Sequence, residues 1–322
     1  MRTYVLRRLL QLIPLLLGIS ALTFLLLQLA PGDFLGSFAE NPTVTPATLD
    51  AMRRRFGLDQ PAWIQYLLYV KNVVFRFDLG ISFSRSQPVA AVLREGLLNT
   101  LLLASTAALV TWGLAIPLGA LAAVRRHQWV DHGLSVAAFV WLSVPEVLSG
   151  LLLLALAART GWLPVGGMHS LDWASMAPGA RALDVLRHLA LPALVTGLVP
   201  LAGRMRQMRA SLLDVLQLDY VTTARAKGLG EGTVVMKHAL RNALNPMITL
   251  FGYTLGALVS GSFVAEIIFA WPGLGRITLD AIQSQDQYLV LGAVLMASVV
   301  LVLGNLVADL LLAAADPRIV HE

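Results

Sequence analysis

The sequence predicts an all-α, polytopic membrane protein with about six transmembrane helices, a large extracytoplasmic loop after the first, and a polar cytoplasmic loop between the fourth and fifth. Three observations carry this. Of 322 residues, 57% are hydrophobic and only 13% charged, and the mean hydropathy is +0.71. A soluble core of ordinary proportions cannot hide that much apolar surface. Six apolar stretches can be drawn, Leu9 to Ala30, Leu97 to Val124, Leu134 to Ala158, Leu189 to Gly203, Pro246 to Ala270 and Leu289 to Ala315. All but the fourth lie near or above the roughly 20 residues that cross hydrocarbon. Finally, a polar but helix-forming insert, residues 204–245, lies between the fourth and fifth stretches. The chain divides into residues 1–30 (amino terminus and first span), 31–96 (loop with short amphipathic helices) and 97–322 (five further helices).

The first stretch follows the basic run Met1-Arg2-Thr3-Tyr4-Val5-Leu6-Arg7-Arg8, as a secretory signal would. It is too long for a signal core, Gln28 stands where a small residue is required before Ala30, and Pro31 would follow the cut. It is expected to be an uncleaved span. In the loop that follows, Thr45-Pro46 supplies an N-cap and first-turn pair and Gly57 a stop, which predicts a helix over Pro46–Phe56. Trp63, Leu67, Val70, Val74 and Phe77 then share one helical face, as expected of a helix lying on the outer membrane interface or packed on the bundle. The fourth stretch is short. Arg187 and His188 before it and Arg204 after it are long enough to snorkel to the headgroups. Orientation follows from basic residues in short loops near span ends: Arg7, Arg8, Arg125, Arg126, Arg204 and Arg206 favour both termini in the cytoplasm.

The composition also excludes chemistry. With no cysteine, the chain can hold neither a disulfide nor a thiolate metal site. The net charge of +5 comes from arginines scattered at segment ends, not from the clustered stripe of a nucleic-acid face. Its three lysines, Lys71, Lys227 and Lys237, are not preceded by glycine, so there is no phosphate-binding G-x-x-x-x-G-K-[ST] loop. The histidines form no metalloprotease pair. Ser260-Gly261-Ser262, with Gly252 and Gly256 before it, reads as small residues allowing close helix packing. No enzymatic site, cofactor or metal is expected in this chain.

The polar insert is the most informative segment. Leu212, Leu213, Leu216 and Tyr220 share a face, Asp219 can cap a new helix, and Gly228, Gly230 and Gly232 supply stops before a second helix from about Thr233. The expected helix-turn-helix exposes Arg225 and Lys227, while Ala224 and Ala226 keep its contact surface low. Asp219-Tyr220-Val221-Thr222-Thr223-Ala224-Arg225-Ala226-Lys227-Gly228-Leu229, followed by His238-Ala239-Leu240-Arg241-Asn242-Ala243, resembles the signature loop of binding-protein-dependent ABC importer permeases of the dipeptide, oligopeptide and nickel branch. The general pattern E-A-A-x-x-x-G falls on Thr222, Thr223, Ala224 and Gly228, with Glu replaced by Thr222 and the first Ala by Thr223, which is that branch's own form. Pro31-Gly32-Asp33, Asp78-Leu79-Gly80-Ile81-Ser82, Ala115-Ile116-Pro117-Leu118-Gly119, Glu266-Ile267-Ile268-Phe269, Trp271-Pro272-Gly273-Leu274-Gly275-Arg276 and Asp316-Pro317-Arg318 extend the resemblance over nearly the whole chain. The early Pro-Gly-Asp and the large first loop resemble the first of two paralogous permeases, of dipeptide type.

That resemblance implies an inner-membrane permease that imports di- or oligopeptides by alternating access, working as a heterodimer with a second permease, two cytoplasmic ATPase subunits that bind ATP and Mg, and an extracytoplasmic solute-binding protein. Asp219, Tyr220, Thr222, Thr223, Ala224, Arg225, Ala226, Lys227 and Gly228 would form the ATPase-coupling helix. Nickel and glutathione importers share the pattern and remain alternatives, as does, more distantly, a non-transport assembly protein. A secondary transporter is disfavoured because no internal repeat is found. Among intramembrane charges, Glu146, after Pro145 in the third stretch, is a candidate pathway residue or else lies near a membrane face, whereas Glu266 and Asp309 lie near span ends and are expected to snorkel or pair.

Overall fold

In a computed structural model of the chain, residues 2–30, 45–248, 250–251, 254 and 261–315 are described. Pro31-Gly32-Asp33, Gly252, Gly256, Ser260 and Asp316-Pro317-Arg318 lie outside them, as does much of the expected fifth span. The described residues are helical apart from one isolated antiparallel bridge, Ile81 to Pro88, and the connections between elements. Among the described residues, four helices are long and apolar enough to cross a membrane, or five if one bent pair is a single broken span. Two compact units form, residues 1–99 with 272–302 and residues 100–271 with 303–322.

In the first unit, α1 (Arg2–Leu29) is the first span. Helix α2 occupies Pro46–Phe56, the interval the Thr45-Pro46 and Gly57 signals predict, and Gly57 follows with φ +68°. Helix α3 (Ala62–Arg76) turns Tyr69 inward, where it joins Phe24 and Leu291, and the Tyr66 hydroxyl lies 3.1 Å from the Leu17 carbonyl and 3.0 Å from Ser20 Oγ. The face drawn from the sequence is mostly the opposite one. Trp63, Leu67, Val74 and Phe77 are exposed, as suits a helix on the membrane interface, while Val70 is partly covered.

The Asp78–Ser82 motif has a structural explanation. Gly80 has φ +88°, and a Cβ there would stand 3.2 Å from the Tyr288 ring, so only glycine fits. Beyond it, the buried Asp286 carboxylate accepts hydrogen bonds from the Ser82 hydroxyl (2.6 Å) and from the Ser84 N–H and hydroxyl (both 2.9 Å). It also accepts from the Leu289 N–H at the start of α13 (Gln287–Ala315), capping that span. Val89, Leu93, Leu274, Ile277, Ala281 and Leu289 form the surrounding core, with α12 (Leu274–Gln283) contributing three of them.

Two departures from expectation occur in the second unit. Helix α4 (Val89–Val124) carries the second span, but the third does not run unbroken from Leu134 to Ala158. It is split into α5 (Trp129–Ser143) and α6 (Glu146–Thr160), bent by 101°. Pro145 has no N–H to donate and crowds the preceding turn, and Val144 before it is extended at φ −87°, ψ 122°. The fourth span is the reverse case. The expected Leu189–Gly203 is only the middle of α7 (Pro178–Leu216), 39 residues that reach about 58 Å at 1.5 Å per residue. Hydropathy falls at Arg204, but Ala, Arg, Met and Leu all favour helix, so the backbone continues through Arg204, Arg206 and Arg209. Arg209 donates to both oxygens of Asp131 at 2.7 Å, clamping α7 to α5.

Glu266, in α11 (Phe263–Ile268), does not snorkel. It is buried and accepts hydrogen bonds from Thr100 (2.7 Å) and Ser262 (3.0 Å). Asp309 is buried as well.

Candidate functional site

After α7, Leu218 is extended and the chain turns into α8 (Asp219–Ala226). Contrary to the sequence expectation, Asp219 does not cap this helix. Leu218 holds the N-cap position and Asp219 the first helical turn, where a carboxylate is favoured by the helix dipole. The Thr223 hydroxyl donates to the Asp219 carbonyl at 2.8 Å. The helix ends at Gly228, φ +79°, whose N–H reaches the Arg225 carbonyl while the Leu229 N–H reaches that of Ala224. A Cβ placed on Gly228 would meet no atom within 4 Å, so the left-handed backbone is what requires glycine there.

Helix α8 is seated by two side chains. Val221 is fully buried and Ala224 nearly so, in a core with Met208 and Leu212 of α7 and with Val234, Ala239, Ala243 and Met247 beyond. Ala224 therefore belongs to the seat and not, as expected, to the outward surface. Asp219, Tyr220, Thr222, Thr223, Arg225, Ala226, Lys227 and Gly228 are all exposed. The following helical run begins at α9 (Glu231–Thr233), two residues before the expected start, winds as a π-helix over Val234–Ala239, and resumes as α10 (Leu240–Ala243).

Four residues that the sequence did not single out brace this region. Val221 is the anchor, and its i, i+3 spacing to Ala224 was the available signal. Glu231 receives a two-pronged contact from Arg225, at 3.1 and 2.7 Å. Asn242 donates to the Tyr220 hydroxyl at 2.6 Å, and that hydroxyl donates to the His238 carbonyl at 3.4 Å. Ser211 ties α7 to α10 through the Ala243 carbonyl at 2.8 Å.

Arg225 lowers the pKa of Glu231 through this hydrogen bond, and its own pKa is raised in return. Because the folded carboxyl titrates below the unfolded one, the pair's contribution is present above the unfolded Glu pKa and is lost as pH falls through the folded value. Both groups are largely exposed, so we expect Glu231→Gln to cost only about 0.2–1 kcal/mol at neutral pH. The cost should shrink in acid, read by thermal unfolding at pH 7 and pH 4.

Glu146 sits elsewhere, at the first position of α6 in the 101° break, partly exposed and without an ion pair or hydrogen bond among the described residues. The helix dipole favours a carboxylate at this first-turn position.

Comparison with known proteins places these features in a family. Residues 115–321 match the binding-protein-dependent transport system inner membrane component, and residues 1–104 match the N-terminal part described for such membrane components. The oligopeptide transport system permease protein AppB of Bacillus subtilis (strain 168) is 38% identical over 321 residues, covering 99% of both chains. The dipeptide transport system permease protein DppB of Escherichia coli (strain K12) is 37% identical over 339 residues, covering 100% of both. The glutathione transport system permease protein GsiC of Escherichia coli O6:H1 is 38% identical over 325 residues, again covering 100% of both. In structure, a chain of the MetNI methionine ABC transporter in an inward-facing conformation superposes with a TM-score of 0.53 at 18% identity, over 70% of this chain and 96% of that one.

Proposed function

We propose, from the premise that this chain belongs to the family of binding-protein-dependent transport system inner membrane components, that it is the permease subunit of an ATP-driven importer of di- or oligopeptides. It is a multi-pass inner-membrane protein. The observation that carries the mechanism is the packing of the exposed α8 directly onto the end of α7, through Val221 and Ala224 against Met208 and Leu212. The exposed residues Asp219, Tyr220, Thr222, Thr223, Arg225, Ala226, Lys227 and Gly228 meet a cytoplasmic ATPase subunit, and Val221 and Ala224 pass its displacement to α7. Basic residues near the span ends favour an arrangement with both termini and α8 in the cytoplasm and residues 31–96 outside, toward a solute-binding protein.

The working complex pairs this chain with a second, paralogous permease and two ATPase subunits. ATP and Mg belong to those ATPases, and the permease supplies lever and pathway without a nucleotide site or catalytic residue of its own. Closure of the ATPases on ATP is tighter than their open state, and that difference drives the spans as packed bodies between outward and inward openings. Glu146, a partly exposed carboxylate at a helix break, is suited to meet a peptide amino group on the way. Import of glutathione is a second reading, favoured by the identity to GsiC.

ATP-dependent uptake by proteoliposomes of the whole complex and its binding protein tests this, with labelled di- and oligopeptides, glutathione and nickel compared. Peptide uptake is expected, and uptake of nickel or glutathione alone would overturn the substrate. In Gly228→Pro, a residue fixed near φ −65° replaces one at +79°, a strain of about 1–3 kcal/mol at the exit of α8. Uptake should fall with solute capture by the binding protein unchanged, and unimpaired uptake would remove α8 from the coupling.

A further inference from the structure

Within the second unit, the start of α5 and the stretch of α7 beyond Arg204 border a cavity of about 400 Å³, with His127, Asp131, His132, Phe139, Arg206 and Arg209 in its lining. The charges of these residues do not balance. Asp131 alone among them is acidic, and both of its oxygens are engaged, by the Arg209 guanidinium at 2.7 Å and by the His127 N–H at 3.1 Å. Arg206 is exposed and has no ion pair or hydrogen bond among the described residues. Its guanidinium carbon lies 5.1 Å from the centre of the Phe139 ring, which holds the cation at the cavity and leaves its N–H groups available. The two imidazoles add no negative charge. An anion is what the cavity lacks, and a guanidinium can meet a phosphate with two parallel hydrogen bonds.

The level of the cavity in the bilayer follows from α5 itself. Trp129, His132, Val136, Phe139 and Val140 are spaced i, i+3, i+7, i+10 and i+11, on one face of the helix, and all are exposed. Trp129, 82% exposed in the first turn, is the kind of ring that settles among headgroups. Val136 and Phe139, which also line the cavity, stand about 10–15 Å further along the helix, and with Val140 they carry an apolar strip toward the hydrocarbon. A free anion would use only the cationic end of this arrangement. A zwitterionic headgroup would bring an ammonium to a place whose one carboxylate is already neutralised by Arg209. A phosphate with net negative charge and an attached apolar chain uses both ends.

We propose that this cavity binds the headgroup of an anionic bilayer phospholipid, with its phosphate on Arg206 and an acyl chain along Val136, Phe139 and Val140. The site requires only that α5 lies in the bilayer, and it depends neither on which solute is carried nor on the contact of α8 with an ATPase.

The test uses the purified, delipidated importer complex in detergent, titrated separately with dioleoyl phosphatidylglycerol, dioleoyl phosphatidylcholine and glycerol 3-phosphate. Binding is read by native mass spectrometry and by thermal midpoint. Phosphatidylglycerol should bind more tightly than phosphatidylcholine, and Arg206→Gln should weaken it about fivefold, as expected for one cation near a membrane surface, while moving phosphatidylcholine much less. Arg125→Gln removes an equal charge from an exposed position outside the lining and should leave the phosphatidylglycerol affinity nearly unchanged. Undiminished phosphatidylglycerol binding in Arg206→Gln would overturn the assignment. An equal loss in Arg125→Gln would do so too, as the mark of a diffuse surface potential, and an equal loss for the two lipids would remove the preference for an anionic headgroup. Glycerol 3-phosphate binding as tightly as phosphatidylglycerol would make this the site of a soluble anion and not of a lipid.

Discussion

Val221→Asp is expected to reduce substrate-stimulated ATP hydrolysis by the assembled importer to its unstimulated rate. Val221 is fully buried beneath α8, among Leu212, Val234 and Ala239. A carboxylate there has no cationic partner in the core that surrounds it, and an uncompensated buried charge costs about 3–5 kcal/mol. Tilting an eight-residue helix out of its seat is cheaper than burying that charge, so α8 detaches locally while the spans persist. Thr222→Ala, one position along on the exposed side, is the control for folding and should leave the thermal midpoint unchanged. Normal stimulation in Val221→Asp would show that α8 need not be seated to transmit anything.

The second large effect concerns the clamp between α5 and α7. Asp131 is 4% exposed and accepts two hydrogen bonds from Arg209 at 2.7 Å and a third from the His127 N–H at 3.1 Å. Asp131→Ala leaves a partly buried guanidinium without its carboxylate, and we expect a loss of about 3–5 kcal/mol in the stability of the purified complex. Replacing both partners by apolar residues, as Asp131→Leu with Arg209→Met, should recover most of that loss, since the desolvation of two charges disappears with them. Thermal unfolding of the single and double variants separates the outcomes. A double variant as unstable as the sum of the two singles would mean that the pair holds no coupled geometry.

Much of the membrane architecture was legible in the residues, because a bilayer turns hydropathy into helix directly. What escaped was geometry that hydropathy does not encode. The third span looked continuous because apolar runs lie on both sides of Pro145-Glu146, and only the backbone consequence of proline shows the 101° break. The fourth looked short because its apolar run stops at Arg204, although helix continues for twelve more residues. At the candidate site, the exposed positions had been singled out by their resemblance to a known loop, and what the structure adds is their exposure. The anchor Val221 and the braces Glu231 and Asn242 were not, since their roles depend on contacts between segments up to 22 residues apart. Asp219 illustrates a smaller limit: a good capping residue beside a helix start need not occupy the cap, and here Leu218 does.

The uninterrupted length of α7 makes residue count itself a structural parameter. Every position in a helix is rotated about 100° from the last, following 3.6 residues per turn. Because α7 is unbroken from the membrane to Leu216, the compass direction in which α8 points is set by the number of residues between Arg204 and Leu216, independently of their identity. One added residue would aim α8 about a quarter-turn away from the ATPase subunit proposed to meet it, whereas seven would restore its bearing to within about 20° while lengthening the arm by about 10 Å. At its exposed positions, substitutions in this segment should therefore be better tolerated by the proposed lever than insertions or deletions.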